Sequence, residues 1–163
     1  SRASGARSDQ PNRAGLTMPA NLLAVPGQIY RHTRYYRDDA GWQTKYLLVL
    51  TGTADDVVYR LLTSRAHGRP ENPPCYHGDP YPGFYLGLIG GSLSAKSWLD
   101  LRQQDDYDQR EFSASVAAGL LSLETTLPIA QLCAALDCTA NAMDTTRQQS
   151  RLMRDERARL GCE

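Results

Sequence analysis

With 163 residues, 41% of them hydrophobic, the chain is one domain by the rule of roughly 150 residues per domain and can bury a core. Collagen, coiled coil and wholesale disorder are excluded. Eighteen Lys and Arg balance eighteen Asp and Glu, so no overall basicity advertises nucleic acid, but the charge is uneven: +6 and −4 over residues 28–66, +4 and −9 over residues 67–142. A mildly basic first half facing an acidic middle is compatible with a cationic cleft.

Residues 1–24 open with Ser, Arg, Gly, Ala and Asn, a composition too polar to offset the entropy of ordering it, and predict a disordered segment, with Met18 as a candidate start. Gly27 to Tyr36 mixes aromatic and β-branched residues with polar ones at strand-like alternation, and Asp38-Asp39-Ala40-Gly41 supplies a turn. Lys45 to Thr51 is a continuous apolar run bounded by Gly52, which predicts a buried strand. Val57 to Ser64 predicts a third strand, and the three read as an antiparallel meander.

Between His67 and Gly83 lie five prolines, at 70, 73, 74, 80 and 82. A loop this long inside a compact domain is functional or disordered, and Tyr76, Tyr81, Phe84 and Tyr85 give it something to pack. Phe84 to Ile89 and Ser97 to Arg102 predict a fourth and a fifth strand. Beyond residue 105 the period changes. Phe112, Val116, Leu120 and Leu123 sit at helical spacing, with Gly119 leaving room for a break or a strand near 121–127. Pro128 suits a first helical turn, with Ile129, Leu132, Cys133 and Leu136 as the apolar face. A last, mostly polar helix capped by Asp144 runs to Leu160 and is expected to be a solvated rim or a partner surface.

The apolar stretches at 46–50 and 116–123 fall far short of the roughly 20 residues of a membrane span, so no membrane partner is expected and the sequence reads as that of a soluble cytoplasmic protein. Cys75, Cys133, Cys138 and Cys162 form no Cys-x-x-Cys pair and read as buried or idle thiols.

Several segments carry a resemblance: Gly27-Gln-Ile-Tyr30, Lys45-Tyr-Leu-Leu-Val-Leu50, Leu61-Leu-Thr-Ser64 and Ser97-Trp-Leu-Asp-Leu101. Over about residues 25–105 the chain resembles the PemK/MazF-like toxin family of type II toxin–antitoxin systems. The resemblance implies an α+β, mainly β fold: an SH3-like bent antiparallel barrel at 25–105, with a helical C-terminal extension at 106–163 packed on it. It also implies a homodimer, an antitoxin protein as partner and metal-independent cleavage of single-stranded RNA without a cofactor. Thr63-Ser64 falls where the family carries a threonine-serine pair whose hydroxyls hold a phosphate oxygen. The family's second strand starts Arg-Pro where this chain has Lys45-Tyr46, and lysine lacks the two-pronged donor geometry of arginine.

Cleavage through the ribose 2′-hydroxyl needs a base, an acid for the leaving oxygen and a cation for the charge on the phosphorane-like transition state. Lys45, Thr63 and Ser64 are the catalytic candidates. Arg31, His32, Arg34, Arg65 and His77 are the substrate-binding candidates, and Tyr35, Tyr36 and Trp42 offer stacking platforms for bases. His67, Arg69, His77 and Asp79 are expected along the cleft. Cys75, His77 and Asp79 sit two residues apart, but no second ligand pair accompanies them, so no metal site is expected. The alternative function is a non-catalytic barrel that binds a protein or a nucleic acid.

Overall fold

The computed structural model describes residues 24–163. The disordered segment expected over 1–24 and the candidate start at Met18 fall outside the described residues, except Ala24, which is buried.

β1 (Gln28–Asp38) and β2 (Gly41–Gly52) form a hairpin, its turn held by Asp38 Oδ1, which accepts from the Ala40 amide and from Gln43 Nε2. β3 (Asp56–Thr63) follows a turn in which the Thr53 hydroxyl accepts from the amides of Asp55 and Asp56. The apolar run in β2 has its physical reason in burial on both faces. Leu48 and Leu50 join Ile29, Val58 and Leu62 on one side of the sheet, and Leu47 and Val49 join Tyr30, Val57 and Tyr59 on the other.

β4 (Cys75–Tyr76), β5 (Gly83–Gly87), β6 (Ser97–Asp100), β7 (Tyr107–Asp108) and β8 (Leu121–Thr126) complete an eight-stranded antiparallel sheet in the order β4-β5-β6-β3-β2-β1-β8, which does not close on itself. β3 carries β2 along one side, while β6 pairs with its C-terminal end and β7 with its N-terminal end. The fold is therefore mixed α+β and mainly β, with three helices. The segment beyond residue 105 is more than a helical extension: it returns β7 and β8 to the sheet, β8 along the free side of β1.

α1 (Gln109–Ala117) is capped by the Asp108 carboxylate and stops short of Gly119, whose φ of 78° turns the chain into β8. Phe112 seals the second core cluster edge-on against Tyr30. α2 (Ile129–Ala140) buries Leu132, Ala135 and Leu136 against the first cluster, while Ile129, expected on that face, is exposed. α3 (Arg147–Leu160) starts two residues later than the Asp144 cap predicts. The reason is a capping box, in which the Thr146 hydroxyl accepts from the Gln149 amide and the Gln149 side chain reaches back to the Thr146 amide.

Nor is α3 merely a solvated rim. Met153 is fully buried, and Gln149 Oε1 accepts from Arg60 Nη2 at 3.0 Å while its Nε2 donates to Asp106. The idle-thiol reading is overturned outright. Cys75 is bonded to Cys138, joining β4 to α2, and Cys133 is bonded to Cys162, joining α2 to the C-terminal tail. Each pair has its Cα atoms 5.7 Å apart, within the span of a disulfide, although 63 and 29 residues separate the partners in sequence.

Candidate functional site

The start of β2 and the end of β3 are neighbours because Tyr46 pairs with Leu62, and Thr63 in turn pairs with Trp98 of β6. Lys45 and Thr63 are the next positions along the β2–β3 ladder, and residues opposite one another on antiparallel strands share a face. Lys45, Thr63, Ser64 and Arg65 all line one open cleft of about 580 Å³. The Thr63 hydroxyl accepts from the Arg65 amide at 3.1 Å, which sets the direction in which the chain leaves the strand. Lys45 Nζ lies 5.7 Å from the centre of the Tyr36 ring, a cation–π contact at the rim of the cleft.

The remaining wall is built by the proline-rich loop and β6. Arg69 is almost wholly buried, its Nε donating to the Pro82 carbonyl and its Nη1 to the Arg65 carbonyl. Gly83 is required here, because a Cβ at that position would run into the Arg69 side chain. Arg69 Nη2 stands 3.6 Å from Asp100 Oδ1, and Arg102 grips the same carboxylate through Nε to Oδ1 at 3.0 Å and Nη2 to Oδ2 at 2.6 Å. The Tyr81 ring lies against both guanidinium groups at 5.4 and 5.0 Å. On Tyr81 stacks the imidazole of His67, the one non-glycine described residue with positive φ, at 48°.

Burial pushes the Asp100 carboxyl up, but the hydrogen bonds and charge of Arg102, with the charge of Arg69, more than reverse this and hold it below the usual carboxylate range. Those hydrogen bonds also raise the Arg102 guanidinium, whereas burial lowers that of Arg69. Among the described residues, the lining charges are Lys45, Arg65, Arg69 and Arg102 against the single carboxylate of Asp100, with the hydroxyls of Thr63, Ser64, Ser92 and Ser94 among them. Cations and hydroxyl donors facing one hollow, with the one acid already neutralised, suit a ligand bearing phosphate.

The other candidates lie elsewhere. Arg31 and His32 are in β1 outside the cleft lining. His32 is 8% exposed, its Nδ1 accepts from the Arg34 amide, and burial lowers its pKa. Arg31 is opposite Ser122 of β8, and its charge adds to the lowering of Glu124, which the Ser92 hydrogen bonds dominate. Arg34 lies over the exposed Trp42 ring at 5.9 Å. His77 is beside the Cys75–Cys138 disulfide, and it and Asp79 are absent from the cleft lining, whereas His67 and Arg69 are part of it.

Asp100 and Arg102 were not legible as site residues. The Asp-x-Arg spacing at a strand end was the available signal, but Arg69, which completes the cluster, is 31 positions away from Asp100 in sequence. The loop itself is tied down along its length, with the Pro70, Pro74 and Pro82 carbonyls accepting from Trp98 Nε1 and the amides of Tyr85 and Leu101. No helix among the described residues is long and apolar enough to cross a membrane.

Against known proteins, the chain matches no protein-family model, no curated protein and no solved structure.

Proposed function

We propose that the chain is a PemK/MazF-like, metal-independent endoribonuclease that cuts single-stranded RNA in this cleft, its curled open sheet being an SH3-like bent barrel. The observation that carries the proposal is the convergence of Lys45, Thr63, Ser64 and Arg65 on one hollow with Arg69 and Arg102. In this reading the 2′-oxygen forms a bond to the adjacent phosphorus, the bond to the 5′-oxygen breaks, and a cyclic phosphate and a 5′-hydroxyl result. Lys45 and Arg65 offset the charge gathering on the non-bridging oxygens, and the Thr63 and Ser64 hydroxyls donate to them. His67, the one histidine lining the cleft, takes the 2′-hydroxyl proton, and water in the open cleft gives a proton to the leaving 5′-oxygen. The homodimer and the antitoxin implied by the family belong to the same proposal.

Both disulfides favour folding in an oxidising compartment over the cytoplasm. A second reading, a barrel that binds RNA or protein without cutting, draws support from Asp100, whose two oxygens are both occupied by Arg102, and from lysine at position 45.

Incubation with mixed-sequence single-stranded RNA in EDTA separates the two. Fragments ending in a cyclic phosphate, reduced about 100-fold or more by Thr63→Ala and by Lys45→Ala, support the nuclease. Intact RNA bound with an affinity that falls steeply with salt supports the binding module. Cleavage only on addition of metal overturns the proposed chemistry.

A further inference from the structure

Among the described residues, the Cys75–Cys138 disulfide has a histidine neighbour that Cys133–Cys162 lacks. His77 Nε2 stands 3.4 Å from Cys75 Sγ and 3.6 Å from Cys138 Sγ, and these ligand atoms are the only such group of three among the described residues. A tetrahedral zinc ion with bonds of about 2.3 Å to sulfur and about 2.05 Å to nitrogen sets its nitrogen and sulfur ligands about 3.5 Å apart. Both imidazole–sulfur edges therefore already have the length that a shared zinc ion requires. Only the two sulfurs have to part, to about 3.8 Å for the same geometry.

We propose that on reduction of this disulfide Cys75, His77 and Cys138 become a zinc-binding site, so that a metal takes over the cross-link between the loop and α2. A dithiol reductant supplies two electrons and two protons, giving two thiols and its own cyclic disulfide. Zinc then binds with loss of the two thiol protons, held by two thiolates and a neutral imidazole. His77 Nε2 is 2.9 Å from the Cys138 carbonyl oxygen in the oxidised chain and donates to it there, so metal binding takes the other tautomer, with the proton on Nδ1. His77 is exposed and Cys75 half-buried, which leaves an approach for the ion and room for water as fourth ligand. Two sulfurs and an imidazole select zinc over magnesium or calcium.

The third ligand is what the sequence does not show. Cys75-x-His77 is an incomplete pair until the fold carries Cys138 to it from 63 residues away. The consequence concerns the cleft, because the loop pinned at Cys75 also bears Arg69 and Tyr81. A zinc cross-link keeps that loop on α2 in a reducing compartment, where a bare disulfide is lost.

The test uses the full chain carrying Cys133→Ser and Cys162→Ser, reduced with a non-chelating phosphine and titrated with Co²⁺ and then Zn²⁺. The expected result is one equivalent of Co²⁺ with thiolate-to-cobalt charge-transfer absorption, displaced by Zn²⁺, and none in the oxidised chain. His77→Ala, whose fold is checkable in the oxidised state, weakens binding at least about tenfold. Zinc also restores protease protection of residues 66–83 that reduction removes. Absence of stoichiometric binding, binding unchanged by His77→Ala, or equal binding by the oxidised chain overturns the proposal.

Discussion

The cleft wall around Asp100 and the helical layer around Cys138 hold the same proline-rich loop from two sides by different physics. On the cleft side the loop is fixed by Arg69 and Tyr81, through a buried ion cluster and carbonyl hydrogen bonds. On the helical side it is fixed by a covalent bond from Cys75 to α2, and α2 is fixed in turn by Cys133–Cys162 and by Leu132, Leu136 and Met153. A charge cluster answers to pH and to an arriving anion, whereas a disulfide answers only to redox conditions. The charge cluster therefore faces the cleft, while the covalent anchor holds the loop from the helical side.

The largest expected effect breaks the covalent side. Cys133→Ser with Cys162→Ser frees the C-terminal tail from α2 and is expected to cost about 3.5 kcal/mol from loop closure alone, read as a lower urea midpoint under non-reducing conditions. A shift below about 1 kcal/mol would mean that the apolar contacts of α2 and α3 suffice. On the other side, Arg69→Ala removes a side chain that is 1% exposed, leaves the Pro82 and Arg65 carbonyls without their donor and leaves Asp100 with one cation in place of two. The expected loss is about 3 kcal/mol. By contrast, Lys96→Ala breaks the exposed pair with Glu71 and is expected to change stability by less than about 1 kcal/mol.

The smallest effect sharpens the comparison through pH. Because Asp100 has its folded-state pKa lowered, its contribution is fully present above the ordinary carboxylate pKa of about 4 and is lost as pH falls through the folded value. Wild type is therefore expected to lose stability more steeply than Asp100→Asn between about pH 5 and about pH 2 in denaturant titrations. Parallel curves would show that the carboxylate is not the group that makes the cleft wall pH-sensitive.

Much of the β architecture was legible. Leu47 to Leu50, unbroken and bounded by Gly52, has to be a strand buried on both faces, and Asp38 to Gly41 has to turn. The break at Gly119 was legible too, though the strand that follows it was read as one option only. Lys45, Thr63, Ser64 and Arg65, singled out at the strand ends, line one cleft. Arg31 and Arg34 are outside the cleft lining; they are three residues apart on β1, whose pairing with β2 shifts register between His32 and Tyr36. The α3 cap was misplaced because Asp144 and Thr146 are both good capping residues, and the reciprocal bond from Gln149 decides between them.

What the sequence determined by itself is local: which segments are strands, where glycine and aspartate turn the chain, and which strand ends carry cationic and hydroxyl side chains. These follow from alternation, propensity and spacing over a few residues. The tertiary structure alone decided the pairing of the four cysteines, the meeting of Arg69 with Asp100 and Arg102, and the arrival of Cys138 beside His77. Each joins residues from different elements, and such a contact depends on how the strands pair and where α2 lands, which no window of neighbouring residues encodes.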